Sequence, residues 1–178
     1  DDDYDSLRAI GFPFTFYGNT YDSLVVCDNG YITFDYYQAN NLQSGYQILA
    51  PIPLPFILPI PNQIGPNNAI MAPWHDVSLA TSFDGNGYVY IDRVGVAPNR
   101  KFIATWCAAA LYACGSDSTN TFQIVLHEGS NKIETFIDTK DPCSHNGGFA
   151  VHGLVDATST NFDIVIDPFL LQPRNFPL

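Results

Sequence analysis

The chain has 178 residues, of which 46% are apolar, so it can bury a hydrophobic core of its own. Seven basic against eighteen acidic side chains give a net charge of −11, which repels nucleic acid and anionic lipid head groups. No apolar stretch is long enough to span a bilayer, so we expect neither a nucleic-acid partner nor direct membrane insertion.

The N-terminal part predicts an edge strand followed by a hairpin. Three phenylalanines alternate along residues 10–17, and Pro13 restricts that strand to the edge of a sheet. Residues 23–27 and 31–36 read as two further strands, separated by Asp28 and the pair Asn29-Gly30. Asn-Gly between two apolar runs is a strong hairpin signal because both residues tolerate positive φ.

The alternating pattern is lost in a Pro-rich insertion at residues 38–68. Prolines occupy positions 51, 53, 55, 59 and 61, which excludes a helix and a central strand and favours an extended, polyproline-like chain. The intervening residues are apolar, so we expect the segment to lie on a surface of this chain or of a partner. The candidate partner contacts in it are Pro53, Leu54, Pro55, Phe56 and Ile57.

Short strands resume after the insertion. They are predicted at residues 69–75, 87–94, 101–108, 121–127, 133–138, 149–155 and 162–166. About nine or ten strands at this spacing, joined by turns, favour an all-β antiparallel β-sandwich, with the choice between jelly-roll and immunoglobulin-like topology left open. We expect one domain over residues 1–167.

The remaining residues, 168–178, are predicted to form an extended tail. The tail is apolar, contains three prolines and shows no turn back to the body, so it can pack on a neighbouring molecule or extend its sheet. Its candidate partner contacts are Phe169, Leu170, Leu171 and Phe176.

Cys27, Cys107, Cys114 and Cys143 form an even set without zinc-site spacing, which indicates two disulfides in an oxidising compartment rather than free buried thiols. If the strands at 101–108 and 121–127 pair, the loops at 109–120 and 139–147 lie at the same end of the sandwich. This argument pairs Cys114 with Cys143 and, by elimination, Cys27 with Cys107. The rival is a local bond between Cys107 and Cys114.

Five motifs follow one another in the chain: IGFPFTFYGNTY at 10–21, NGYITF at 29–34, IMAPWHD at 70–76, APNRKF at 97–102 followed by Trp106, and FQIVLHEG at 122–129. In this order they resemble the β-sandwich modules of large bacterial and archaeal surface proteins and, more loosely, nidogen-type and plexin-domain-containing extracellular modules. The resemblance covers residues 8–167. It implies an extracellular adhesion or assembly domain without catalytic residues.

Two neighbouring pairs, His75-Asp76 and His127-Glu128, invite a catalytic interpretation. Neighbours on a strand point to opposite faces, so neither pair meets through its adjacency. Nucleophile-elbow, zinc-protease and phosphate-loop motifs are absent from the sequence. We therefore predict no enzymatic activity.

The sequence Asp84-Gly85-Asn86-Gly87 resembles part of a calcium loop, to which Asp76 and Asp92 can add carboxylates. A hairpin turn requires the same residues, and the other acidic positions of an EF-hand loop are missing. We expect a turn and no cofactor, with calcium as the alternative.

Six tyrosines, Tyr17, Tyr21, Tyr31, Tyr36, Tyr37 and Tyr46, can form a platform that stacks on sugars. The preference of tyrosine for strands explains them equally well. The chain begins with three aspartates, which no signal peptide does, so we expect a mature extracellular fragment. We predict a surface module for adhesion or assembly, including a filament subunit; a lectin-like module and an ancillary domain of a secreted enzyme are the alternatives.

Overall fold

The computed structural model describes residues 2–41, 43–44, 63–64, 66–79, 87–115, 118–148, 150–158 and 160–167. Its strands are β1 (Arg8–Phe16), β2 (Asn19–Cys27), β3 (Tyr31–Thr33), β4 (Gln43–Ser44), β5 (Gln63–Ile64), β6 (Ala69–Trp74), β7 (Val77–Ser78), β8 (Tyr88–Val94), β9 (Lys101–Leu111), β10 (Thr119–His127), β11 (Ile133–Lys140), β12 (Ala150–Val155) and β13 (Phe162–Asp167). One short helix, α1 (Tyr36–Asn41), and a 3-10 turn (His145–Gly148) complete the elements seen in these ranges.

The strands form two facing sheets. The first sheet has the order β1-β2-β3-β6-β12-β13, and the second has the order β11-β10-β9-β7, with β8 also paired to β9. Every strand pairing in these two sheets is antiparallel. A two-residue parallel ladder joins β4 to β5 outside them. The predicted antiparallel β-sandwich is confirmed, and β7 is a strand too short for the sequence pattern to reveal.

The inner faces of both sheets are apolar and form the main core. Alternate residues of β1 are buried, which places its three phenylalanines between the sheets, and β1 lies at a sheet edge as Pro13 predicts. In the facing sheet, Trp106 of β9 stacks on Phe122 of β10 with ring centroids 4.9 Å apart. The alternation of large apolar residues along these strands therefore determines which face of each sheet is buried.

A second apolar cluster covers the outer face of the first sheet. It contains Cys27, Tyr31, Met71, Trp74 and Val151, and the strand neighbours of the first three belong to the main core. The N-terminal segment lies over this cluster, and the hydroxyls of Tyr4 and Tyr31 are 2.6 Å apart. Both faces of β3 are consequently buried.

The loop of residues 28–30 joins β2 to β3 in the predicted hairpin, with Cys27 paired to Tyr31. Asn29 is fully buried, and its side-chain Oδ1 accepts a hydrogen bond of 2.8 Å from the backbone N–H of Val77. Its carbonyl oxygen accepts from the N–H of His75 at 3.2 Å. The loop therefore connects the first sheet to the chain that enters β7 in the second.

Gly30 makes this close approach possible. Its φ is +87°, and a Cβ built on it would lie 2.2 Å from the carbonyl oxygen of Pro73. The indole Nε1 of Trp106 donates to the carbonyl oxygen of Cys27 at 3.0 Å, which fastens the same corner to β9. At this corner the two sheets are thus joined by hydrogen bonds as well as by packing.

Three sequence features lie outside the described residues: the proline run at 51–61, the turn residues 84–86, and the tail at 168–178. Of the helices that the structure describes, none has the length and apolar character needed to cross a bilayer.

We expect Asn29→Ala to lower the free energy of unfolding by about 3 kcal/mol, because the N–H of Val77 would be left buried without its acceptor. Asn19→Ala, at an exposed position of β2, serves as the control and should change stability by less than about 0.5 kcal/mol. Urea unfolding followed by circular dichroism measures both values. Equal effects of the two substitutions would contradict the role given to Asn29.

Candidate functional site

A disulfide bond closes one end of the sandwich, which we call the disulfide end. Cys114 and Cys143 are bonded, with 5.7 Å between their Cα atoms. Cys114 lies in the loop after β9 and Cys143 in the loop after β11, the two loops from which this pairing was predicted. Strand direction was sufficient to bring them together.

The second predicted pairing is wrong, because neither Cys27 nor Cys107 forms a disulfide bond. Cys27 points to the outer face of the first sheet, into the cluster with Tyr31. Trp106 points into the main core, so its neighbour Cys107 faces outward from the second sheet, beside Tyr88 of β8. The two thiols therefore lie on the outward faces of opposite sheets, with Cys27 buried in its cluster.

The link between β6 and β7 lies beside the disulfide. Asp76 is buried, and its Oδ2 is 2.9 Å from Nε2 of His145 in the 3-10 turn. The carbonyl oxygen of Asp76 accepts from the N–H of Tyr112 at 3.1 Å, and the Tyr112 ring meets the His145 ring edge-on at 5.2 Å. This cluster ties the β6–β7 link to both loops that the disulfide joins.

His75 is fully buried next to this cluster. Its Nδ1 lies 3.1 Å from the carbonyl oxygen of Asp76 and donates to it, while its Nε2 has no hydrogen-bond partner among the described residues. Burial, followed by the positive charge of Lys140, lowers the pKa of His75 from 6.5 to about 4. The imidazole is therefore neutral at physiological pH.

The catalytic pairs considered in the sequence are separated in the structure. Glu128 binds Arg100, with 2.9 Å between Arg100 Nε and Oε2, and this contact lowers the pKa of Glu128 to about 2. His127 contacts Glu134 instead. The pair of Asp76 and His145, which are distant in the sequence, was missed, although the predicted meeting of the loops at this end offered a signal for it.

The two calcium candidates within the described ranges, Asp76 and Asp92, do not come together. Asp76 precedes Val77, which pairs with Leu111, whereas Asp92 pairs with Ile103. These two positions are eight residues apart on β9, about 26 Å along the strand. Within the described ranges no group of three His, Cys, Asp or Glu side chains is arranged to hold a metal ion. Asp84 and Asn86 lie outside those ranges, so the calcium alternative stays a prediction.

The six tyrosines do not share one exposed platform. Tyr31 is buried, and Tyr21 stacks on Phe34 with centroids 4.5 Å apart. Tyr17, Tyr36 and Tyr37 are exposed, and Tyr46 lies outside the described residues. Of the exposed rings, Tyr17 and Tyr36 border two separate grooves, and the one beside Tyr17 is the larger of the two.

This Tyr17 groove lies at the end of the sandwich opposite the disulfide and has a volume of about 630 Å³. Its main lining residues are Tyr17, Asn131, Ile133, Leu154, Asn161 and Asp163. They come from the β1–β2 turn, the turn before β11, and the β12–β13 hairpin. Both sheets therefore contribute to the groove.

A buried aspartate shapes one wall of the groove. Asp156 accepts hydrogen bonds from Asn161 Nδ2 at 2.6 Å and from the N–H of Thr160 at 3.1 Å. These bonds, the one from Asn161 first, lower the pKa of Asp156 to about 2. The loop that carries Asn161 is held by fixed hydrogen bonds.

The second sheet presents exposed rings on its outer surface. Tyr90, Thr105, Gln123 and Phe136 form one row across four strands, and Gln123 Nε2 donates to Thr105 Oγ1 at 2.8 Å. The exposed fractions are 56% for Tyr88, 54% for Tyr90 and 46% for Phe136. We call these three rings, with Thr105 and Gln123 between them, the outer aromatic face.

We expect stability to fall as the pH is lowered from 6.5 to about 4. In this window the unfolded chain protonates His75 while the folded chain keeps it neutral, a loss of about 3 kcal/mol that is complete below pH 4. Urea unfolding at a series of pH values measures the slope. His75→Gln should flatten it, and His152→Gln, at a half-buried imidazole whose pKa burial also lowers, should flatten it less because that side chain is less desolvated. An unchanged slope in His75→Gln would show that this imidazole is not the cause.

The family model described as NIDO related matches residues 1–167. No curated protein and no solved structure matches the chain. The matched span ends at Asp167, the last residue of β13, so it covers every strand described above. Together with the Cys114–Cys143 bond, this match indicates an extracellular domain of a non-enzymatic type. The chain belongs to the NIDO-related family of nidogen-related extracellular modules.

Proposed function

We propose that the chain is an adhesion or assembly module at a cell surface, which associates with further copies of itself through the outer aromatic face. The observation that carries this proposal is the exposure of Tyr88, Tyr90 and Phe136 on the outer surface of one sheet. Soluble monomers rarely leave contiguous aromatic surface in water unless it contacts a partner. The sequence resemblance to modules of bacterial and archaeal surface proteins supports a cell-surface structure, such as a filament, as the place where the copies assemble.

The composition of this surface supports a protein partner. Tyrosine and phenylalanine are enriched at the centres of protein interfaces, because they bury a large area for a small loss of side-chain freedom. Thr105 and Gln123 between the rings already satisfy one hydrogen bond with each other. A partner that covers the row would therefore not have to break that bond.

The paired acidic side chains support a structural role. Asp76, Glu128 and Glu134 each contact a basic or imidazole side chain within the chain: His145, Arg100, and both His127 and Lys132, respectively. Their bonds join strands and loops to one another. These pairs therefore hold strands and loops of the fold in position.

Electrostatics gives the proposal a distinctive salt dependence. Two copies, each with a net charge of −11, repel one another at long range. Salt shortens the screening length to about 8 Å at physiological ionic strength, while contact between aromatic surfaces persists. Assembly should therefore strengthen when salt is raised.

We expect the double variant Tyr90→Ser, Phe136→Ser to stay folded and to lose self-association, because it removes the rings at the two ends of the row. Light scattering and electron microscopy of wild type and variant, at 50 and 500 mM salt, measure assembly. Val96→Ser is the control, since Val96 is 77% exposed in a turn away from the row. Unchanged assembly in the double variant, or assembly that weakens with salt, would overturn the proposal.

Removal of residues 168–178 tests the contribution of the tail. We expect the truncated protein to keep its circular dichroism spectrum, because β13 is paired with β12 up to Asp167. We also expect it to lose assembly, as the apolar composition of the tail predicts. Global unfolding, or assembly at the wild-type level, would show that the tail does not act as an intermolecular contact.

A further inference from the structure

The turn that presents Tyr17 contains an unfavourable residue for its backbone. Phe16 pairs with Asn19, so Tyr17 and Gly18 form a two-residue hairpin loop with φ values of +44° and +80°. Loops of this kind favour Asn-Gly, because a bulky side chain at positive φ is strained. Strain of this type persists at sites where the surrounding structure and the function require that side chain.

A second residue with positive φ faces Tyr17 across the groove. Asn131 has a φ of +53°, and its Oδ1 accepts from the backbone N–H of Thr15 at 2.8 Å. This bond fixes the turn before β11 against the end of β1. The two turns, each with a residue at positive φ, are thus held next to each other. One turn presents the aromatic ring of Tyr17 and the other presents the amide of Asn131.

The remaining walls supply an apolar floor and hydrogen-bonding groups. Ile133 and Leu154 pack against the main core and close the bottom of the groove. Asn161 and Asp163 line the side that Asp156 organises. Burial, and then the charges of Asp156 and Asp163, raise the pKa of Tyr17.

We propose that the Tyr17 groove is a binding site for a neutral glycan. The face of the Tyr17 ring, 42% of whose residue surface is exposed, is suited to the C–H face of a hexose. The amides of Asn131 and Asn161 and the carboxylate of Asp163 can bind hydroxyl groups that both donate and accept. A volume of about 630 Å³ accommodates two or three sugar rings.

Charge decides the class of sugar. Asp163 contributes a carboxylate, and the described lining residues include no lysine, arginine or histidine. A sulfated or carboxylated sugar would meet that carboxylate without a cation to balance it. The groove therefore selects neutral hexoses and rejects anionic glycans, and this holds whether or not the outer aromatic face mediates assembly.

The test uses the full chain and four soluble probes: cellotriose, chitotriose, mannotriose and a heparin hexasaccharide. Amide chemical shifts in two-dimensional NMR locate binding, and calorimetry measures affinity. We expect at least one neutral trisaccharide to shift the resonances of Asn131 and Asn161, and the heparin fragment to leave them unchanged.

The strained turn allows a variant that separates binding from folding. Tyr17→Asn creates the preferred Asn-Gly turn, so the melting temperature should stay the same or rise while affinity falls about tenfold or more. Tyr17→Phe keeps the ring and should bind within about threefold of wild type. Tyr37→Asn, at an exposed tyrosine of α1, is the matched control and should bind as wild type.

Three results would overturn the proposal: no neutral probe shifts the groove, the heparin fragment binds there at least as well, or Tyr17→Asn retains full affinity. A lower melting temperature in Tyr17→Asn together with an absence of binding in the wild type would show that the ring serves only to pack on Phe16, 4.7 Å away.

Discussion

The buried side chain of Asn29 is the interaction on which the arrangement of the two sheets depends. A hydrogen bond made away from water is costly to lose, because the abandoned group cannot be resolvated. The side chain of Asn29 accepts a hydrogen bond from the N–H of Val77, and its carbonyl oxygen accepts one from the N–H of His75. The carbonyl oxygen of Cys27 accepts a third from the indole of Trp106. These bonds specify which strands meet at this corner, a choice that apolar packing alone leaves loosely determined.

The two ends of the sandwich have different characters. The disulfide end is held by a covalent bond and by the contact of Asp76 with His145. The opposite end has its turns fixed by Asn131 and Asp156 and leaves a groove between them. These contacts place the groove-lining side chains on a preorganised frame, which would reduce the entropy lost if the proposed ligand binds.

Local patterns predicted much of the fold: Pro13 at a sheet edge, the Asn29-Gly30 hairpin, and the disulfide deduced from strand direction. The prediction of a bond between Cys27 and Cys107 is wrong because it rested on elimination. The inward position of Trp106 already required its neighbour Cys107 to face outward. The burial of Tyr31 depends on the N-terminal segment that covers it, and contacts between distant segments are not written in local periodicity. The same holds for the groove, which three separate turns assemble.

The described chain enters and leaves the sandwich at the same end. The N–H of Asp3 donates to Asp28 at 3.0 Å, which anchors the first residues beside the buried loop, and β13 ends at Asp167, opposite Ala150 of β12. A chain that continues from either point starts at the disulfide end. A tether attached there would act as a stalk beneath the sandwich. The Tyr17 groove would then be the part of the sandwich farthest from the point of attachment.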